Sequence, residues 1–163
     1  MMSIIIIIVD EHRKKGTIME QKKLYALFGK LEYKKRGLNK KKKSASDLVF
    51  ANANMDRLSS MSNRILAKEK QVNRKFKELL DSPNRIRVLK DNDELKERFI
   101  KTKERWSIES DIFIGSSNDA INYLDRANNG MHLDRDLAKN KMSTIKENYT
   151  KLNGTLESML QFT

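Results

Sequence analysis

The chain has 163 residues, about the length of one domain, with 38% hydrophobic and 34% charged residues and a formal net charge of +12. It contains no cysteine, which excludes disulfides, thiolate metal sites and cysteine nucleophiles. A single proline and six glycines leave few obligatory breaks, whereas all-β folds need frequent turn residues. The composition therefore predicts an all-α protein, an elongated helical bundle or coiled coil with three to four long helices and a short apolar N-terminal extension.

Residues 1–18 are predicted to form that apolar and basic extension, and they include an unbroken apolar run from Ile4 to Val9. A transmembrane helix needs about 20 apolar residues, and a signal peptide carries its positive charge before the apolar stretch, not after it. Patterned sequence begins only at Met19, so we interpret residues 1–18 as lying outside the helical fold, and we expect no integral membrane segment. The alternative is a strand that pairs with the sheet edge of a partner, since β-branched residues favour strands.

A first helix is predicted over residues 19–37. Gly37 stands where a helix-ending glycine is typical, and a polar linker follows over residues 38–46. The apolar residues that recur at helical spacing are Leu24, Leu27, Phe28 and Leu31.

The positive charge is concentrated in the first half of the chain. The first 50 residues carry 13 Lys and Arg against five acids, while the segment after residue 100 carries nine of each. The charge peaks in the linker at Lys40, Lys41, Lys42 and Lys43. We predict a polyanion contact at these lysines, either with nucleic acid or with an acidic protein surface. The alternative interpretation is a solvated linker without a ligand.

A second helix is predicted over residues 47–81. With Leu48 as position a of a heptad, every d position is apolar, while Ser62 and Glu69 are polar a positions. This partly polar seam favours a helix that packs on neighbours over an ideal two-stranded coiled coil. Pro83 ends the helix, because proline cannot continue the hydrogen-bond ladder.

A third helix is predicted over residues 91–127, beginning with acidic residues that suit a helix N-terminus. Trp106, the only tryptophan, is interpreted as a packing anchor. Gly115 and the two serines after it offer a possible break. Asn128-Asn129-Gly130 is compatible with a helix end or with unbroken heptads, and we favour a turn there.

The last predicted helix, over residues 131–162, has the most regular heptad pattern in the chain. From Ala138 onward every a and d position is apolar. We predict that these positions form an interaction seam for a partner helix or for a second copy of the chain. The seam residues are Met142, Ile145, Tyr149, Leu152, Leu156 and Met159.

The sequence contains no Gly-rich phosphate loop, nucleophile elbow, HExxH or paired CxxC motif. His132 and Asp134 are two residues apart, and residues at that spacing point to different faces of a helix. We therefore expect a protein that is not an enzyme and that has no cofactor and no metal site.

The order of the predicted helices, with roughly 40 residues of heptads at the C-terminal end, resembles that of SNARE proteins. Residues 117–163 resemble a SNARE motif in length and position, with Arg135 at a core a position. The resemblance implies a membrane-trafficking protein that joins other heptad helices in a four-helix complex. Three features depart from that pattern: Asn128 adds a second polar layer, the layer spacing around Arg135 does not match well, and we expect no transmembrane segment after Thr163.

The sequence as a whole predicts a non-enzymatic helical interaction or scaffold protein. It would associate through heptad helices with itself or with partners in a larger assembly, such as a cytoskeletal complex. The first alternative is a basic, nucleic-acid-associated protein of a ribonucleoprotein particle, and the second is the SNARE-like protein. An intracellular, cytoplasmic location is expected, because a chain without cysteine fits a reducing compartment.

Overall fold

The structure is a computed structural model that describes residues 17–40, 46–81, 83–84, 87 and 91–162. This part of the chain is all-helical and contains no strand, as the composition predicts. The apolar run at residues 4–9 lies outside the described residues, so the predicted extension stays a prediction over residues 1–16, whereas Thr17 and Ile18 belong to the first helix. Among the described helices, none has a stretch long and apolar enough to cross a membrane. The helices are α1 (Thr17–Lys40), α2 (Ser46–Leu80), α3 (Asp93–Leu124) and α4 (Arg135–Leu160), with a 3-10 helix (Asp125–Asn129) after α3.

α1 contains the whole segment predicted as the first helix and continues to Lys40, into the predicted linker. Gly37 therefore lies inside the helix and does not end it. A glycine in a helix interior costs only about 1 kcal/mol relative to alanine, which the neighbouring helical residues can offset. α2 ends at Leu80, three residues before Pro83, where the sequence predicts its end.

Side chains cap the beginnings of α3 and α4. The Asn92 side chain accepts a hydrogen bond from the Leu95 backbone N–H at 3.1 Å. Asp134 accepts from the backbone N–H groups of Asp136 and Leu137, at 3.0 and 3.2 Å. Each cap satisfies donors that have no partner within the helix, so the two helices begin directly after their capping residues.

The Asn128-Asn129-Gly130 segment ends the third helical stretch with a turn. Gly130 has a φ of 73°, in the left-handed region that favours glycine. The N–H groups of Gly130 and Met131 donate to the carbonyls of Ala127 and Arg126, at 3.2 and 3.0 Å, which is the pattern of a glycine-ended helix. The heptads before and after Gly130 therefore belong to two different helices.

The possible break at Gly115 is absent, because α3 continues through it to Leu124. Phe113, Ser117 and Ile121 are buried on the inner face, while Gly115 is exposed on the outside. Burial of the inner face outweighs the cost of about 1 kcal/mol for one helical glycine.

Two pairs of neighbouring helices are antiparallel, namely α1 with α2 and α3 with α4. In each pair, residues nearer the start of one helix contact residues nearer the end of the other. The contacts are Tyr25 with Lys70 and Lys35 with Asp56 for the first pair, and Phe99 with Phe162 and Asp119 with Lys141 for the second.

The two resulting hairpins lie side by side and run in the same direction. Around the molecule the order of the helices is α1, α2, α4 and α3, so that α1 neighbours α3 and α2 neighbours α4, both in parallel. The contacts that give these directions are Lys23 with Asp111 and Lys34 with Asp125 for α1 and the end of α3, and Asp47 with Leu133 and Lys68 with Glu157 for α2 and α4.

The core lies between the four helices, and on α2 it follows the heptad that was counted in the sequence. Every d position from Ala51 to Leu79 is buried, and so are the polar a positions Ser62 and Glu69. Trp106 is 1% exposed, which confirms its interpretation as a packing anchor. Its indole Nε1 donates to Glu69 Oε1 at 2.9 Å. The polar heptad residue Glu69 therefore has a hydrogen-bond partner inside the core.

Candidate binding groove between α2 and α4

The predicted interaction seam on α4 faces the interior of this chain. Five of its six side chains are buried in the common core, and the sixth, Tyr149, is half-buried with its ring centroid 6.5 Å from that of Phe113. A partner helix reaches Ile145, Leu152, Leu156 and Met159 only if α4 separates from α2 and α3, whereas Met142 and Tyr149 also border the groove described below. The buried residues of the seam are Met142, Ile145, Leu152, Leu156 and Met159.

The predicted polyanion contact falls at the end of α1. Lys40 is the last residue of that helix, and Lys41, Lys42 and Lys43 lie outside the described residues. The contact with nucleic acid or an acidic protein surface at these lysines therefore stays a prediction.

A solvent-open groove runs between α2 and α4, here named the α2/α4 groove. It extends from Phe50 to Arg64 on α2 and from Lys139 to Thr150 on α4. Its volume is about 730 Å³, which is room for several side chains and not only for a single ion. The floor is apolar, and the side chains that form it are Phe50, Met61, Met142 and Tyr149.

Four cations stand along the two rims of the α2/α4 groove, with Arg57 and Arg64 on α2 and Lys139 and Lys146 on α4. All four side chains are exposed, and within the described part of the chain none of them forms an ion pair. No carboxylate lines the groove. The two cations of each rim are seven residues apart, which corresponds to about 10.5 Å along a helix. The groove is therefore a surface of uniform positive charge above an apolar floor.

A polar cluster joins α2 and α4 at one end of the groove. Asp47 Oδ2 accepts a hydrogen bond from the Leu133 backbone N–H at 3.3 Å and lies 3.1 Å from His132 Nδ1. Arg135 lies 3.4 Å from the other carboxylate oxygen, and its guanidinium stacks 4.5 Å above the ring of Phe50. Arg135 is partly exposed in the first turn of α4. It therefore does not form the polar core layer that its predicted heptad a position implies.

The Asp47 carboxyl shows the electrostatic effect of this cluster. The hydrogen bond from the Leu133 backbone N–H lowers its pKa below the ordinary value of 3.8, and the nearby His132 and Arg135 lower the pKa further. At neutral pH the Asp47 carboxylate is therefore ionised and keeps its contacts with His132, Leu133 and Arg135. At the other end of the groove Lys68 pairs with Glu157, so both ends are fixed by contacts between α2 and α4.

A second, smaller groove of about 510 Å³ lies between the first half of α3 and the end of α4. Arg98, Lys101 and Arg105 line it together with Glu104 and Phe162. Its charge is mixed, because a carboxylate stands among the cations. The α2/α4 groove is the better candidate site, since it combines the larger apolar floor with one sign of charge.

Comparison with known proteins gives one partial relative. The chain is 36% identical over 89 residues to Tiny macrocysts protein B of Dictyostelium discoideum. The aligned part is 54% of this chain and only 6% of that protein. No protein family matches the chain, and no solved structure matches it.

The α2/α4 groove is not predicted from the heptad pattern, although the sequence contains a signal for it. Arg57 and Arg64 repeat at a spacing of seven residues, as do Lys139 and Lys146. Lys139 and Lys146 occupy e positions of the α4 heptad, where charged residues commonly set the choice of a partner helix, whereas Arg57 and Arg64 occupy c positions of the α2 heptad. The repeats alone do not show that the two helices are neighbours, because that depends on the tertiary structure.

The chemistry available in the groove is that of a binding surface. Its polar groups are hydroxyls, an amide and four cations, and its floor is apolar. Such a surface binds by burial of apolar side chains and by pairing with negative charge. Among the residues that the structure describes, no three His, Asp or Glu side chains are grouped to hold a metal ion.

Proposed function

We propose that this chain is a non-enzymatic helical interaction protein that takes its place in a larger assembly by binding a partner in the α2/α4 groove. The observation that supports this proposal is the combination of a partly buried apolar floor, open to solvent along the groove, with four rim cations that have no ion partner in the described residues. An apolar surface surrounded by a charged rim is typical of interaction sites. The proposal also includes the architecture, an elongated bundle whose heptad seams pack within the chain.

The test is affinity purification of the full chain from its native source, with partners identified by mass spectrometry. The groove variant is Arg64→Glu with Lys146→Glu. The control is Arg74→Glu with Lys151→Glu, which makes the same charge change at two exposed residues of the same helices outside the groove. We expect a stoichiometric protein partner that is retained by the wild type and the control and lost by the groove variant. A set of partners that is the same for all three proteins would contradict the proposal.

The nucleic-acid alternative rests on the rim cations together with Lys40–Lys43. It predicts that RNA or DNA co-purifies with the chain and is lost at high salt, because phosphate contacts release counterions. The SNARE-like alternative requires α4 to leave its neighbours, since the heptad residues of α4 are buried in this chain. It predicts a four-helix complex with other heptad chains that forms only after such opening.

A further inference from the structure

We propose that the occupant of the α2/α4 groove is an acidic amphipathic helix of a partner protein, which lies along the groove with its apolar face on the floor and carboxylates on both flanks. This inference rests on the proposed function and adds the chemical class of the partner. It uses three properties of the groove: its shape, its floor and the spacing of its charges.

The shape suits one helix of about four turns. The lined part of α2 runs from Phe50 to Arg64, which is 14 residues of rise or about 21 Å. The groove lies between the polar cluster at Asp47 and the ion pair of Lys68 with Glu157. Along this length the outer faces of α2 and α4 are open to solvent. A helix laid between two parallel helices buries one apolar stripe and keeps its other faces in water.

The floor favours a protein segment. Met61 and Met142 are unbranched and adapt to irregular apolar side chains, which is why methionine is common in grooves that bind helices. Tyr149 adds a half-buried aromatic ring. A nucleic-acid duplex would neutralise the rims with its phosphates but would place its charged backbone against this apolar floor, at a desolvation cost.

The charge pattern selects an acidic helix. Arg57 and Arg64 form one rim and Lys139 and Lys146 the other, each pair separated by two helical turns. A helix with Glu or Asp seven residues apart on both flanks would place one carboxylate near each cation. A second copy of this chain is a poor occupant, because each copy carries a net charge of +12 and the rims of both grooves are positive.

Fluorescence anisotropy with designed peptides tests the inference on the full-length chain. The first peptide is an apolar-striped helix of about 16 residues with Glu on both flanks. The second replaces the flanking Glu with Gln and the third with Lys. We expect the Glu peptide to bind, the Gln peptide to bind about tenfold or more weakly, and the Lys peptide not to bind. Equal binding of the Glu and Gln peptides would overturn the inference.

The groove variant and its control locate the binding. Arg64→Glu with Lys146→Glu leaves Arg57 and Lys139 in place and makes the rims neutral overall, so it should weaken binding of the Glu peptide about tenfold or more and reduce the difference between the Glu and Lys peptides, while Arg74→Glu with Lys151→Glu should change neither. Circular dichroism verifies that both variants keep the helical content of the wild type. Equal loss in both variants would overturn the inference, since it would show a general effect of net charge. The inference would also fail if a single-stranded oligonucleotide bound in the groove and the Glu peptide did not.

A photo-crosslinking residue at Ser60, on the exposed rim of the groove, separates this inference from the proposed function. The crosslinked segment is sequenced after purification from the native source. An acidic helical segment supports both proposals. A protein crosslinked through a neutral or basic segment would leave the proposed function intact and overturn the acidic helix. Absence of any crosslinked protein would contradict both.

Discussion

Glu69 and Trp106 form a polar pair inside the core. Each is 1% exposed, and the hydrogen bond of 2.9 Å between them joins α2 to α3 across the molecule. A buried carboxylate is costly unless its oxygens accept hydrogen bonds, and an indole N–H deprived of its acceptor is costly too. The pair therefore sets the register of α2 against α3, because a shift of one helical turn would break this bond.

Substitution of Glu69 tests this role. We expect Glu69→Ala to lower the free energy of unfolding by about 1–3 kcal/mol more than Glu69→Gln, since Gln keeps an oxygen that can accept from Trp106. Urea denaturation followed by the fluorescence of Trp106, the single tryptophan, measures both values. The exposed Glu78→Ala on the same helix is the control and should stay within about 0.5 kcal/mol of the wild type. Equal losses for the two Glu69 variants would show that this hydrogen bond does not contribute.

Asp47 makes the stability of the fold depend on pH. Its pKa is lowered from 3.8, first by the hydrogen bond from the Leu133 backbone N–H, so its contribution to stability is complete above the ordinary pKa and is lost as the pH falls through the lowered one. We expect the melting temperature of the wild type to exceed that of Asp47→Asn at about pH 5, and the difference to shrink below about pH 4. Differential scanning calorimetry between those conditions measures it. A difference that grows on acidification would contradict the assignment.

At the scale of the element, α4 has two chemically distinct faces. Its inner face carries the heptad residues and is buried against α2 and α3. Its face beside α2 carries Lys139 and Lys146 and stays open to solvent. An apolar stripe holds the helix in the fold, and the row of cations next to it remains free to contact a partner.

Ile145→Asp separates a core role of the inner face from an interaction role. The side chain is 0% exposed, so an aspartate there would place a carboxylate in the core and lower the free energy of unfolding by more than about 4 kcal/mol. Thermal melting followed by circular dichroism should show a large decrease in melting temperature. Thr144→Asp, at the neighbouring exposed position, should leave the melting temperature nearly unchanged. An Ile145→Asp protein that melts like the wild type but loses its partner would restore the sequence-based prediction of an interaction seam.

At the scale of the whole molecule, ion pairs report how the two hairpins are arranged. Lys23 lies 2.9 Å from Asp111, and Lys34 lies 2.8 Å from Asp125, which gives α1 and α3 the same direction. These pairs are partly or largely exposed and contribute little stability each, since exposed ion pairs are typically worth about 0–1 kcal/mol. These ion pairs are therefore used as markers of the relative direction of α1 and α3.

Carbodiimide crosslinking tests that topology without any substitution. The reagent joins ammonium and carboxylate groups in contact, and we expect crosslinks of Lys23 to Asp111 and of Lys34 to Asp125 in peptides analysed by mass spectrometry. A mixture of unlabelled and isotope-labelled chains distinguishes crosslinks within one chain from crosslinks between chains. Crosslinks of Lys23 to Asp125 and of Lys34 to Asp111 would instead show that α1 and α3 are antiparallel.

Much of the fold could be predicted, because local signals agree with the final packing. The heptad from Ala51 to Leu79 identifies the buried face of α2, including its polar positions. Asn92 and Asp134 cap helices close to the predicted starts. Glycine was the least reliable signal: Gly130 ends a helical stretch, while Gly37 and Gly115 lie inside helices. Of these three glycines only Gly130 adopts a positive φ, and it alone follows a pair of asparagines, which favour a turn.

Most of the candidate site could not be predicted from the sequence. A stripe of a and d residues has the same pattern whether it faces another chain or the rest of its own, so Ile145 and Leu152 were assigned to a partner although they are buried in this chain. The α2/α4 groove requires two segments nearly 90 residues apart to be parallel neighbours, and helix periodicity carries no information about neighbours.

An all-α chain, the position of most of its helices, the apolar face of each heptad helix and the anchoring role of Trp106 all follow from local sequence patterns. These features depend on the spacing of apolar residues and on capping groups, which act within one element. The tertiary structure alone decided which faces meet, that Arg135 joins Asp47 and the Phe50 ring instead of a core layer, and that Arg57, Arg64, Lys139 and Lys146 surround one groove. The physical reason is that burial depends on all the elements together, whereas periodicity is a property of each helix alone.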